Sequence, residues 1–109
     1  MAAIPEGADK DTRKEIGYPP SEEIMSFYVS PTVQPDMFEF SMYEAAEYYL
    51  GSNIFFSLPD RFSKIKGIDS VEQEDRELYI IKSNKLSPAQ LKKALWDVFL
   101  DASAESFGK

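Results

Sequence analysis

The segment that most restricts the architecture is the last one. Ser87-Pro88-Ala89-Gln90 combines a capping hydroxyl, a proline at the first helical position and a glutamine placed to return the cap. Behind it, Leu91, Leu95, Val98, Phe99 and Ala102 recur at i, i+4, i+7, i+8 and i+11, one apolar stripe along a helix. The pattern predicts a helix that fades over residues 103–105, with residues 106–109 frayed. A helix with a single stripe must lay it against another element.

Strands stand ready upstream. Residues 68–73 and 77–82 read as a hairpin with its turn near residues 74–76. Leu78 and Ile80 share one face of the second strand, Tyr79 and Ile81 the other. Apolar residues on both faces imply an inner strand, or a sheet covered on both sides. Met25, Phe27 and Val29 alternate with Ser26, Tyr28 and Ser30, predicting a strand over residues 25–30. Pro31 and Pro35 bracket a turn, and residues 37–40 follow as a second strand.

Between these pairs the period changes. Ser41, with Glu44 three residues on, predicts a cap, and Met42, Ala45, Ala46, Tyr49 and Leu50 make a helical stripe ending at Gly51. Residues 53–56 read as a short strand. A helix starting at Ser57–Pro59 runs to residues 64–66 before Gly67. The expected fold is α+β, a two-layer sandwich: an antiparallel sheet of three to four strands with two or three helices on one face. Residues 1–23, punctuated by Pro5, Gly7, Gly17, Pro19 and Pro20, read as a flexible tail. Residues 24–105 read as the folded domain.

Composition narrows the chemistry. Of 109 residues, 43% are hydrophobic and 14% aromatic, enough for a core without metal or disulfide support. Cysteine and histidine are both absent, which removes thiolate ligands, sulfur nucleophiles and the commonest general base. A net charge of −7 argues against nucleic acid and against anionic membrane surfaces as partners. No apolar run reaches membrane-spanning length, and residues 1–6 lack a signal-peptide pattern, so the cytoplasm is the expected compartment.

Few residues stand out as candidates for a site. Asp69, Glu72, Glu74, Asp75 and Glu77 cluster at the hairpin, at spacings unlike a calcium loop, and read as a solvated strand edge. Tyr43, Tyr48, Tyr49, Phe55 and Phe56 read as core and core rim, with a ligand pocket beside them as the alternative. Trp96 lies off the main stripe of the last helix, and exposed tryptophan is enriched at binding hot spots. Lys82, Lys85, Lys92 and Lys93 form a loose basic patch. Trp96, Lys92 and Lys93 are therefore the expected partner contacts; no catalytic, cofactor or metal residues are expected.

Two stretches carry a resemblance. Residues 31–40 are similar to the P-T-P-N-P-N-x-L-K-F signature of the Nfu/NifU-like N-terminal domain, with Pro31, Thr32, Pro35 and Phe40 in register. Residues 57–82 resemble that family's helix–hairpin stretch through Phe62, Ile65, Gly67, Ile68, Val71, Leu78, Ile80 and Lys82. Gln34, Pro59, Glu72, Gln73 and Glu77 depart from the pattern. The family's cluster-bearing C-x-x-C belongs to a separate domain, and a chain without cysteine holds no iron–sulfur cluster through thiolates. The resemblance implies a non-enzymatic interaction domain that assists iron–sulfur cluster assembly or delivery by docking scaffold or client proteins. A ligand-sensing α+β module and an acidic inhibitor of a basic surface are the other readings.

Overall fold

A computed structural model of the chain describes residues 4–108. In chain order it contains α1 (Lys10–Ile16), α2 (Glu22–Met25), β1 (Tyr28–Pro31), β2 (Met37–Ser41), α3 (Ala46–Leu50), α4 (Ser52–Phe56), α5 (Leu58–Ser63), β3 (Ser70–Asp75), β4 (Leu78–Lys82) and α6 (Pro88–Ser106). The four strands form one antiparallel sheet in the order β1-β2-β4-β3. The fold is α+β, as the sequence predicts.

The pairing registers decide which side chains become interior. Residues directly opposite each other in an antiparallel pair share a face. Phe38 stands opposite Ile81 and Phe40 opposite Tyr79, and all four are buried. Their neighbours along the strands point the other way: Glu39 is opposite Ile80, and Ser41 opposite Leu78. β4 is thus the inner strand expected of it, but only one of its faces enters the core. Phe40 is the hub, its ring 4.8 Å from Phe27, 5.7 Å from Phe62 and 5.5 Å from Tyr79. Truncating such a buried aromatic costs about 3–5 kcal/mol.

α6 supplies the opposing layer. Ser87 Oγ accepts from the Gln90 N–H at 3.2 Å while Gln90 Oε1 accepts from the Ser87 N–H at 2.9 Å, the predicted reciprocal cap. Leu91, Leu95, Phe99 and Ala102 are buried beneath it. α5 and α6 pack on one another, α5 against β3 and α6 against β1.

Several expectations are corrected. The predicted N-terminal tail carries α1 and α2, capped by Asp9 and Ser21 through the Thr12 and Ile24 N–H groups. α1 packs on α3, and the Ser52 and Asp9 N–H groups donate to Glu6 and Tyr48 carbonyls. Met1–Ala3 and Lys109, which belong to the expected tail and frayed end, lie outside the described residues. Met25 ends α2, and Ser26 adopts φ 53 there, so the first strand begins at Tyr28. Ser41 closes β2 and caps nothing; α3 starts after Ala45. Residues 53–56 are helical, with Phe55 buried and Phe56 exposed. α6 reaches Ser106, and Phe107 beyond it packs against the core.

Candidate functional site

Trp96, Lys92 and Lys93 meet in one place. α6 turns these side chains toward α2, and together with Glu22 and Ala89 they line an open groove of about 370 Å³. Lys92 and Trp96 are four residues apart on the helix and so lie on one side of it.

Trp96 is the aromatic side chain among the groove's described lining residues, and two buried rings back it. Trp96 is half-buried because Phe27 arrives from the α2–β1 junction, its ring edge-on at 4.8 Å, while Phe99 stacks on the indole at 5.6 Å. The rim is charged. Lys92 Nζ stands 3.8 Å from Glu22 Oε1, and Lys93 Nζ is 3.5 Å from Asp97 Oδ2 on the next turn. Both pairs face solvent and contribute little to stability, so their ammonium groups can exchange partners at small cost. The groove therefore offers a rigid apolar plane beside two cations, suited to a segment that pairs an apolar side chain with a carboxylate.

Sequence reasoning missed Glu22, which fell in the expected tail. The signal lay in Ser21 followed by two glutamates, a helix start too short to show a periodic stripe. Lys82 and Lys85 are not among the groove's lining residues: Lys82 ends β4 on the outward sheet face, and Lys85 lies in the β4–α6 connection.

The residues behind the family resemblance sit in structural roles. Pro31 ends β1, and Thr32 clips the β1–β2 turn, its Oγ1 donating to the Met37 carbonyl at 2.9 Å and accepting from the Gln34 N–H at 3.1 Å. Pro35 lies in that turn. Phe40, Phe62 and Ile68 are buried, and Ile65 and Val71 pack against the core. Leu78 and Ile80 face outward on β4. Gly67 has φ +99, and a Cβ there would meet Leu86 at 3.0 Å.

The other candidates divide. Tyr49 and Phe55 are core, Tyr43 is core rim, and Tyr48 and Phe56 are exposed. A second open concavity, about 280 Å³, lies beside them between Glu44, Ala45, Tyr48, Arg76 and Glu77. Asp69, Glu72, Glu74 and Asp75 are exposed, and among the described residues no three carboxylates stand close enough to hold a metal ion. No helix among the described residues is long and apolar enough to cross a membrane. Comparison with protein-family models, with curated proteins and with solved structures returns no match for this chain.

Proposed function

We propose that this chain is a non-enzymatic docking domain whose partner seats in the α2–α6 groove, and that the partner is an iron–sulfur scaffold, carrier or client protein. The observation that carries the docking reading is the convergence of Trp96, Lys92 and Lys93 with Glu22 on an otherwise acidic protein. Rigid indole surface at low entropic cost, next to cations that can recruit a carboxylate, is the composition of a binding hot spot.

The iron–sulfur part rests on the resemblance to the Nfu/NifU-like N-terminal domain. The matched residues take structural positions: Pro31 and Thr32 at the hairpin turn, Phe40 in the core, Gly67 ahead of β3, and Leu78 and Ile80 on the outward face of β4.

The test is recovery of the tagged protein from source cells under anaerobic conditions, with partners identified by mass spectrometry. Enrichment of scaffold, carrier or client proteins, reduced by Trp96→Ala or by Lys92→Glu with Lys93→Glu, is the expected outcome. Recovery without such proteins would remove the iron–sulfur assignment. A second reading, ligand sensing, is favoured by the concavity beside Tyr48; thermal stabilisation by one member of a metabolite panel would put it first.

A further inference from the structure

The sheet face turned away from the helices carries an apolar band that the fold does not use. Met37, Leu78 and Ile80 are half-buried, yet among the described residues none of them packs against the core. Tyr28, at the edge of the same face, is 57% exposed. Carboxylates flank the band. Ile80 stands directly between Glu39 on β2 and Glu72 on β3, both exposed, and among the described residues neither forms an ion pair.

We infer that this face docks a cationic amphipathic helix of another protein, at a surface separate from the groove. The dimensions agree. Glu39 and Glu72 lie on strands two spacings apart, about 9–10 Å, close to the width of a helix with its side chains, about 10–12 Å. Leu78 and Ile80 are two strand residues apart, about 7 Å, near the separation of i and i+4 side chains on a helix, about 6 Å. A helix laid along β4 places its apolar stripe on Leu78 and Ile80. Lys or Arg on either flank of that helix then meets Glu39 and Glu72.

Charge selects this occupant over others. A second copy of the chain would bring like carboxylates together and add to a net charge of −7. An anionic lipid surface would be repelled by the same groups. Lys82, opposite Met37 at the end of the band, marks the end where an acidic side chain of the partner is accommodated.

The test uses the full chain, isotope-labelled, and a capped Leu/Lys peptide of about 14 residues, four helical turns, with leucines at i, i+3, i+4 and i+7. A twin peptide carries Glu at every Lys. The cationic peptide is expected to bind, to shift amide signals of β2, β3 and β4, and to lose affinity as salt rises; the twin is expected not to bind. Glu39→Lys with Glu72→Lys, and separately Ile80→Ser, should each weaken binding about tenfold or more. Glu15→Lys with Asp101→Lys makes the same change in net charge away from the sheet and should leave affinity within about twofold. Circular dichroism confirms that each variant is folded. Equal loss in both charge-reversed pairs overturns the inference, as do signal changes confined to the Trp96 groove. Concentration-dependent dimerisation abolished by Ile80→Ser would assign the face to a second copy. Binding to phosphatidylglycerol vesicles that requires Ile80 would assign it to lipid.

Discussion

The guanidinium carbon of Arg13 sits 4.0 Å from the centre of the Phe107 ring, joining the first helix to the residue that ends the last one. The same guanidinium donates to the Tyr49 carbonyl at 3.0 Å, to the Ser106 carbonyl at 3.1 Å and to Ser106 Oγ. Ser106 Oγ in turn donates to the Leu50 carbonyl at 2.6 Å. One side chain thus satisfies carbonyls at the ends of α3 and α6 while covering an aromatic face.

Replacing Arg13 should loosen that junction. Lysine cannot reproduce the planar fork, so Arg13→Lys is expected to cost about 1–2 kcal/mol and Arg13→Ala about 2–3 kcal/mol. Urea unfolding measures the total. Hydrogen exchange should show α1 losing protection before the sheet does; uniform loss across the chain would mean the clamp acts only globally.

The hairpin tip has its own tie. Arg76 Nη1 meets Glu47 Oε1 at 3.0 Å, and the Glu47 side chain is only 12% exposed. Removing the cation strands a carboxylate short of solvent, so Arg76→Ala should cost about 1–2 kcal/mol, above an ordinary surface pair. In Glu47→Gln the same Arg76→Ala change should cost less than half as much, which a double-mutant cycle reads directly.

Alkaline pH should destabilise the fold through its tyrosines. Burial pushes both the Tyr49 and the Tyr79 phenol up, the charge of Arg13 partly offsetting the effect at Tyr49. The unfolded chain therefore releases these protons first, from a phenol pKa of about 10. Their contribution is complete below that pH and is lost as pH rises above it, at up to about 1.4 kcal/mol per pH unit for each tyrosine. Tyr79→Phe should halve the slope of unfolding free energy between about pH 10 and 11.5. An unchanged slope would show that Tyr79 ionises alike in both states.

Gly67 is fixed by backbone and space together. Its φ of +99 disfavours any L side chain, and Leu86 Cγ stands 3.0 Å from where a Cβ would lie. Gly67→Ala is expected to cost about 1–3 kcal/mol by chemical denaturation. Leu86→Ala in the same background should be less than additive, because it relieves the contact but not the dihedral.

What could be read from the sequence followed hydrophobic period. The Ser87 cap, the α6 stripe and the split of β4 into Tyr79/Ile81 and Leu78/Ile80 faces all rest on regular spacing, and the structure has them. α1 and α2 escaped because each buries one apolar residue, Ile16 and Met25, and α1 is held instead by the polar contacts of Arg13. Residues 53–56 are a short apolar run whose helical state follows from its packing, which no period announces. Trp96 reads from the sequence as exposed or half-exposed, and it is half-buried; what covers it is not legible, since Phe27 comes to it from a distant segment.

The strand order has a kinetic consequence. β1–β2 and β3–β4 are local hairpins, which close in microseconds. Within the sheet they meet at the β2–β4 seam, where Ser41 and Leu78 pair across 37 positions of chain. Closing that loop carries the larger entropy loss, so folding is expected to wait on the two hairpins finding one another in register. A slip of one residue there would turn Phe38 and Phe40 to solvent. Substitutions along the seam, such as Ile81→Val, should mainly slow refolding in stopped-flow measurements, whereas loss of the Arg13 clamp should mainly hasten unfolding.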